Sequence, residues 1–241
     1  MKYFVVSDVH SFYEPLIEVL NNYNFNKNTD TLRSLGDLFD RGPDSVKLLD
    51  FIDSLPNKIL IRGNHDTALE DIRNLKRYPN DIDRHNGTIQ TITDIGGHNN
   101  LYDSIRELSR NEKLYNYFKS LKNYYETDDY LFVHAWFPYD DGNYSDYYRT
   151  ASQDEWDSAA WDNPFIQYQL MKRADKPINK TVVFGHYHTS YGHHYLNGDG
   201  REFPENDLNE CNFSIFNNGE IIGLDACTAL TGKCNCLLLE M

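Results

Sequence analysis

Five times along this chain a run of β-branched or aromatic residues stops, and a residue able to ligate a metal follows almost at once: VVSDVH, LGDLFDRG, LIRGNHD, LFVHAW and VVFGHYH. Short apolar runs bounded by polar loops, with helical periodicity between them, read as buried strands. A rigid sheet holds side chains from distant sequence positions within a few ångströms of one another. For this reason α/β folds gather their chemistry in the loops at the carboxyl ends of strands. The repetition therefore calls for a layered α/β fold with these five ends on one rim.

The rest of the chain agrees. YFVVSD reads as the first strand and EPLIEVLNNYNF as a helix with apolar residues at helical spacing. LRSLGDLFD closes a second strand, SVKLLDFIDSL forms a second helix, and NKILIRGNHD runs from strand into loop. Residues 68–126 are rich in Tyr, Asn and charge at helical spacing, and suit a helical cap segment. YLFVHAW and KTVVFGHYH give two more strands, and the tail from Phe213 to Glu240 reads as antiparallel strands joined by turns. Strands alternating with helices early and strands late indicate an α/β sandwich. With no fixed-period repeat and no Pro-, Gly- and Ser-rich linker, one domain over residues 1–241 is expected.

Asp8, His10, Asp37, Asn64, His134, His186 and His188 offer hard oxygens and borderline nitrogens. That donor set suits a pair of first-row transition metals, and neither calcium nor a thiolate zinc site. Asp37 has two oxygens and can bridge two ions. Taken singly, an Asp-x-His after a strand reads as a turn and His134 as a half-buried histidine; all five together, in this order, are not explained by turns and caps. The 37 acidic residues outnumber the 23 basic ones, giving a net charge of −14, which disfavours extended nucleic acid and anionic membranes as partners. No window approaches the roughly 18 apolar residues of a membrane span, and no signal-peptide h-region follows the start, so a cytoplasmic protein is expected. The four cysteines (Cys211, Cys227, Cys234, Cys236) form no CxxC pair and read as reduced thiols. Cys234 and Cys236, two apart, are expected on one sheet face.

DVH, GDLFDRG, GNHD, VHAW and GHYH, in this order, resemble the signature of the calcineurin-like metallophosphoesterases over residues 7–188. GD-x-x-DRG with RGNHD is most similar to the phosphoprotein phosphatase branch: serine/threonine phosphatases, lambda-type phage phosphatases and bacterial diadenosine tetraphosphate hydrolases. More loosely, GLDACTALTGKCNCL resembles that branch's closing IDTG-x-x-x-GG-x-L, AAWDNP its LW-x-x-P element, and RHNGTIQT its NGG-x-x-T segment. The resemblance implies a four-layer α-β-β-α sandwich with a helical cap. It implies that Asp8, His10 and Asp37 hold one divalent ion, and that Asp37, Asn64, His134 and His186 hold a second. Manganese is the first expectation for the ions, with iron, zinc or nickel as alternatives. It further implies His65 as the general acid, Asp40 as the carboxylate orienting it, and Arg41 and Asn64 as substrate-binding groups.

This chain departs from the pattern in places. A second histidine in GHYH makes His188 a further ligand by resemblance to the wider superfamily. HAW stands where relatives have HGG, so Ala135 and Trp136 narrow the site or offer a ring edge to an aromatic substrate. Arg62 is expected to pair with a carboxylate such as Asp37 or Asp66. Arg149 and Arg173 are the candidates for a second phosphate arginine, but read more simply as surface cations. The acidic stretch 197–210 reads as a solvated loop, with a lid as the alternative. Together these imply a phosphomonoester hydrolase resembling serine/threonine phosphatases, with attack by a metal-bridging hydroxide. The substrate is then a phosphorylated protein or small phosphoester; hydrolysis of diadenosine tetraphosphate or another nucleotide is the first alternative. A metal-binding protein of the same fold without turnover is the second. The sequence sets no oligomeric state.

Overall fold

The computed structural model describes residues 2–140, 146–175, 179–202, 208 and 210–240. Two sheets face each other. The first has the order β3-β2-β1-β9, built from β1 (Lys2–Val6), β2 (Thr31–Ser34), β3 (Lys58–Leu60) and β9 (Leu237–Glu240). The second has the order β4-β5-β6-β8-β7, from β4 (Tyr125–Glu126), β5 (Tyr130–Phe132), β6 (Thr181–Phe184), β7 (Phe216–Asn217) and β8 (Ile221–Gly223). β1, β2 and β3 run parallel, as do β5, β6 and β8.

Both faces of these strands are buried, which is why they read as continuous apolar runs rather than alternating ones. In β1, Phe4 and Val6 face helices while Val5 faces the other sheet; in β6, Val182 and Phe184 face helices while Val183 turns inward. Val5, Leu35, Ile61, Phe132, Val183, Ile222 and Leu224 form the apolar seam between the sheets. Arg33 is also buried there, its guanidinium 3.9 Å from the Tyr3 ring centre and 4.6 Å from those of Tyr125 and Phe132.

On the outer face of the first sheet lie α1 (Tyr13–Asn22) and α2 (Ser45–Ser54), joined by residues of α3 (Asn64–Arg73), α5 (Thr88–Gly96), α6 (Leu101–Arg110) and α7 (Glu112–Ser120). The short α4 (Asp81–His85) leads into α5, which packs along α6 and against α2. On the outer face of the second sheet lie α8 (Gln153–Ala159), α9 (Pro164–Arg173) and α10 (Thr189–Asn197), through Trp156, Phe165, Met171 and Leu196. The result is the four-layer α-β-β-α arrangement. Among the described residues no helix is long and apolar enough to cross a membrane.

The tail differs from the antiparallel reading. β7 and β8 form an antiparallel pair, but β8 lies parallel to β6. The chain then passes through α11 (Thr228–Thr231) and crosses to the first sheet, where β9 runs antiparallel to β1. Alternation identifies strands but not partners, and here one tail serves both sheets. Cys234 and Cys236 both enter the apolar cluster on the helix side of the first sheet, and neither is in a disulfide.

Parallel register brings the strand ends together. Val6 pairs with Ser34 and Ser34 with Leu60 in one sheet, and Phe132 with Val183 in the other. The residues that follow these positions are those of the five motifs.

Candidate metal centre

Asp37 lies at the middle of the rim. Its Oδ1 accepts the backbone N–H of His65 at 3.1 Å, at the first turn of α3, where unpaired N–H groups and the helix dipole favour an anion. Burial alone pushes the Asp37 carboxyl up, yet His134, His65, His10 and His186 around it hold it below the usual carboxylate range. Gly63 makes this approach possible: a Cβ there would overlap the Asp37 carboxylate and stand 2.7 Å from its backbone nitrogen. Gly63→Ala is therefore expected to displace Asp37, lowering Mn²⁺ affinity roughly 10–100-fold and costing about 1–3 kcal/mol of stability, as measured by calorimetric titration and thermal melting.

Two groups of side chains converge on Asp37. In each of Asp37–His134–His186 and His10–Asp37–His65, the ligand atoms all lie within 4.8 Å of one another. His134 Nδ1 lies 2.8 Å from the Leu35 carbonyl, which can only accept, so Nδ1 donates there and Nε2 faces the centre. That Nε2 is 2.9 Å from Asn64 Oδ1 and 3.4 Å from Asp37 Oδ2, so an imidazole nitrogen, an amide oxygen and a carboxylate oxygen converge. His10 is oriented in the same way, with Nδ1 donating to the Phe39 carbonyl at 3.0 Å and Nε2 turned toward Asp8 Oδ1 at 4.0 Å. Burial, with His134 next to it, pulls His186 down to about 3, which keeps its ring neutral and able to ligate. Asp8 is pushed well up, first by burial and then by Asp225 and Asp37. Its Oδ2 accepts from Ser7 Oγ and from the His186 backbone N–H, the latter at 2.8 Å. Buried imidazole, amide and carboxylate groups converging beside clustered carboxylates are the surroundings a divalent cation satisfies, and such mixed donors suit a first-row ion.

Beside this cluster His65 Nδ1 donates to Asp40 Oδ2 at 2.8 Å, and the same oxygen accepts the Thr88 hydroxyl at 2.6 Å. Thr91 Oγ1 accepts the Asp40 backbone N–H at 3.1 Å. Both threonines belong to the RHNGTIQT stretch, so that segment serves to fix Asp40. Burial lowers the His65 pKa, but Asp37 and Asp40 outweigh burial and leave it above its ordinary value. Arg41 is exposed and places Nη2 3.4 Å from His65 Nε2.

The backbone is strained at the same places. Asp8, His10, Asp37, Asp40, Arg41 and His186 have φ between +50° and +75°, although none is glycine. Each such residue costs on the order of 1–3 kcal/mol, and strain of this kind clusters where side chains must be aimed.

Some expected residues lie elsewhere. His188 joins neither cluster: its ring stacks on Tyr187 and its Nε2 lies 2.8 Å from Glu202 Oε1. Glu202 belongs to the acidic stretch 197–210, of which residues 203–207 and 209 lie outside the described residues. Arg62 pairs with Glu70, one turn further along α3 than expected. Asp66 is already committed, with Oδ2 accepting from Gly63 and Asp37 backbone N–H groups and Oδ1 from the Tyr117 hydroxyl at 2.6 Å. Arg149 pairs with Glu126 and Asp146 at the surface, and Arg173 is exposed. Trp136 is 1 % exposed and stacks on Phe137, so it fills the core rather than offering an edge to substrate. Tyr117, Thr88 and Glu202 were not singled out from the sequence; their partners lie 14–51 positions away.

Comparison with known proteins bears on this geometry. The symmetrical bis(5'-nucleosyl)-tetraphosphatase of Proteus mirabilis is 46 % identical over 70 residues, 29 % of this chain and 26 % of that protein. The match thus spans about a quarter of the length of that curated relative. Among solved structures, a proposed diadenosine tetraphosphatase matches with a TM-score of 0.51 at 17 % identity, covering 99 % of this chain and 92 % of the other. A protein serine/threonine phosphatase from Saccharomyces cerevisiae matches with a TM-score of 0.52 at 17 % identity, covering 92 % and 66 %. Identities this low speak to the fold, which is the one the strand order describes. The family model for calcineurin-like phosphoesterases matches residues 1–216, and the chain belongs to that family.

Proposed function

We propose that this protein hydrolyses phosphate esters with the help of two divalent ions, in the first instance manganese. The observation that carries the reading is the convergence of buried lone-pair donors on Asp37, with the His65–Asp40 pair beside them. Asp8, His10 and Asp37 would hold one ion; Asp37, Asn64, His134 and His186 would hold the other. When bound, such a pair supplies Lewis acidity to the phosphoryl oxygens and makes an attacking water more acidic. His188 would join the first ion's ligands by leaving Glu202, whose Oε1 lies 2.8 Å from its Nε2.

In this reading the chain's own groups divide the remaining work. Arg41, exposed at the rim beside His65, pairs its guanidinium with phosphoryl oxygens. His65 donates a proton from Nε2 to the leaving oxygen. Asp40, held by Thr88 and by Thr91, fixes the ring so that Nδ1 keeps its own proton and Nε2 points outward. A proton delivered in this way contributes on the order of 10²–10⁴-fold when the leaving group is a poor one. A reducing cytosol suits Cys227, Cys234 and Cys236, none of which is in a disulfide.

The leading substrate is a phosphomonoester of the phosphoserine or phosphothreonine type. A second reading, a dinucleoside polyphosphate, is favoured by the stretch of 46 % identity with the Proteus mirabilis tetraphosphatase. Purified protein with Mn²⁺, given a phosphoserine peptide and diadenosine tetraphosphate in parallel, separates them. Faster release of phosphate from the peptide supports the first, and nucleotide products at the higher kcat/KM support the second. Turnover of neither, with nitrophenyl phosphate also untouched, would contradict the phosphoesterase reading itself.

A further inference from the structure

We propose that the indole of Trp161 is a stacking platform for a planar aromatic ring carried by the substrate, with the substrate's phosphoryl group at the Asp37 centre. The proposal rests on the phosphoesterase reading above and adds a class of substrate to it.

The chain has three tryptophans, and they differ sharply: Trp136 is 1 % exposed, Trp156 6 % and Trp161 60 %. An isolated exposed apolar residue needs no explanation. Two observations set Trp161 apart. The first is position: its ring centre lies 6.3 Å from that of His186, at 83° to it, directly beside a group of the Asp37 cluster. The second is rigidity. Trp161 sits between α8 and α9, where its backbone N–H bonds to the Ser158 carbonyl at 3.1 Å and that of Asp162 to the Ala159 carbonyl at 3.2 Å. Asn163 then caps α9 by accepting from the Phe165 and Ile166 N–H groups, and Pro164 begins the helix. Ala159 and Ala160 before the ring, and Phe165 after it, are buried. The fold thus anchors both sides of the indole and leaves the indole in water.

A fixed aromatic face loses little conformational freedom on binding a ring, since the loop is already ordered. Stacking also suits the charge of this molecule. A net charge of −14 opposes the approach of a phosphorylated ligand, whereas affinity gained on a π-face does not depend on that charge. The buried Trp136 cannot serve this purpose, which leaves Trp161 as the tryptophan able to do so. A nucleobase and a phosphotyrosyl ring share the recognised feature; serine and threonine phosphates lack it, so a working platform would favour ring-bearing phosphoesters over the phosphoserine reading.

Exposure also supplies the test. In the Mn²⁺-loaded wild-type protein, the long-wavelength part of tryptophan emission should come from Trp161, the exposed one of the three. AMP or phosphotyrosine should quench it saturably, and glycerol 3-phosphate, which has no ring, should not. Quenching by AMP alone assigns the ring to a nucleobase, and quenching by phosphotyrosine alone assigns it to an aryl ester. In kinetics, Trp161→Ala should reduce the preference for ring-bearing over ring-free phosphoesters roughly tenfold or more, mainly through KM, while Trp161→Phe retains most of it. Ring-selective quenching in a protein that hydrolyses none of these compounds would sustain the platform and overturn the phosphoesterase reading. Hydrolysis with an unchanged preference in Trp161→Ala, and equal quenching by all three probes, would overturn the platform and leave that reading standing.

Discussion

His65→Asn is expected to lower kcat for an alkyl phosphate on the order of 10²–10⁴-fold, and for nitrophenyl phosphate by no more than about tenfold. The difference follows from the leaving groups. An alkoxide is far too basic to depart near neutral pH without a proton, whereas nitrophenolate departs without one. His65 is placed for that proton, with Nδ1 donating to Asp40 and Nε2 toward the rim. Asparagine occupies similar space and keeps a donor for Asp40, but it has no transferable proton. The pH profile gives a second readout. Burial lowers the His65 pKa, but Asp37 and Asp40 raise it by more, so the acid form persists above the ordinary histidine range. Activity on the alkyl substrate should therefore fall as pH rises through that raised value. This limb should be missing for nitrophenyl phosphate and for the variant. Equal losses on both substrates would remove His65 from the role of general acid.

Asp37→Asn should be the most damaging single change at the site. The amide is nearly isosteric and its oxygen can still accept the His65 backbone N–H, so the start of α3 should survive. The negative charge shared by both side-chain groups is nevertheless lost. Bound divalent ions contribute several kcal/mol of transition-state stabilisation, so activity should fall on the order of 10³-fold or more. Elemental analysis should show the variant retaining fewer ions than wild type. A variant that kept both ions and most of its activity would show that Asp37 is not shared between them. Because the histidines around Asp37 hold its carboxyl below the usual range, its charge contributes stability to the metal-free chain at neutral pH. The metal-free variant should for that reason melt somewhat below metal-free wild type while keeping its circular dichroism spectrum, which separates loss of metal from loss of fold.

The sequence made the rim legible because two signals coincide there. Strands buried on both faces appear as unbroken apolar runs, and the first polar residues after them must be those at the sheet edge. Asp8, His10, Asp37, Asn64, His134 and His186 follow from that rule, and the structure gathers them. What escaped were contacts set by tertiary geometry. Nothing in CTALTGKCNCLLLE says that β9 leaves the second sheet for the first. Nothing local to Arg62 chooses Glu70 over Asp66; the choice is made by Tyr117, which reaches Asp66 from a helix 51 residues away. His188 resembles a ligand by spacing, yet a carboxylate 14 residues later takes its Nε2. The two site tryptophans show the same limit. HAW suggested that Trp136 faces substrate, while burial turns it inward and leaves Trp161 beside His186.

The central claim is that the buried donors around Asp37 hold two divalent ions that the chemistry requires. Its most direct test is elemental analysis of the purified protein, with the same sample assayed on nitrophenyl phosphate before chelation, after it, and after Mn²⁺ is restored. The account expects about two ions per chain, activity lost on chelation and regained with Mn²⁺. One ion or none after Mn²⁺ is supplied, with no turnover, would contradict it.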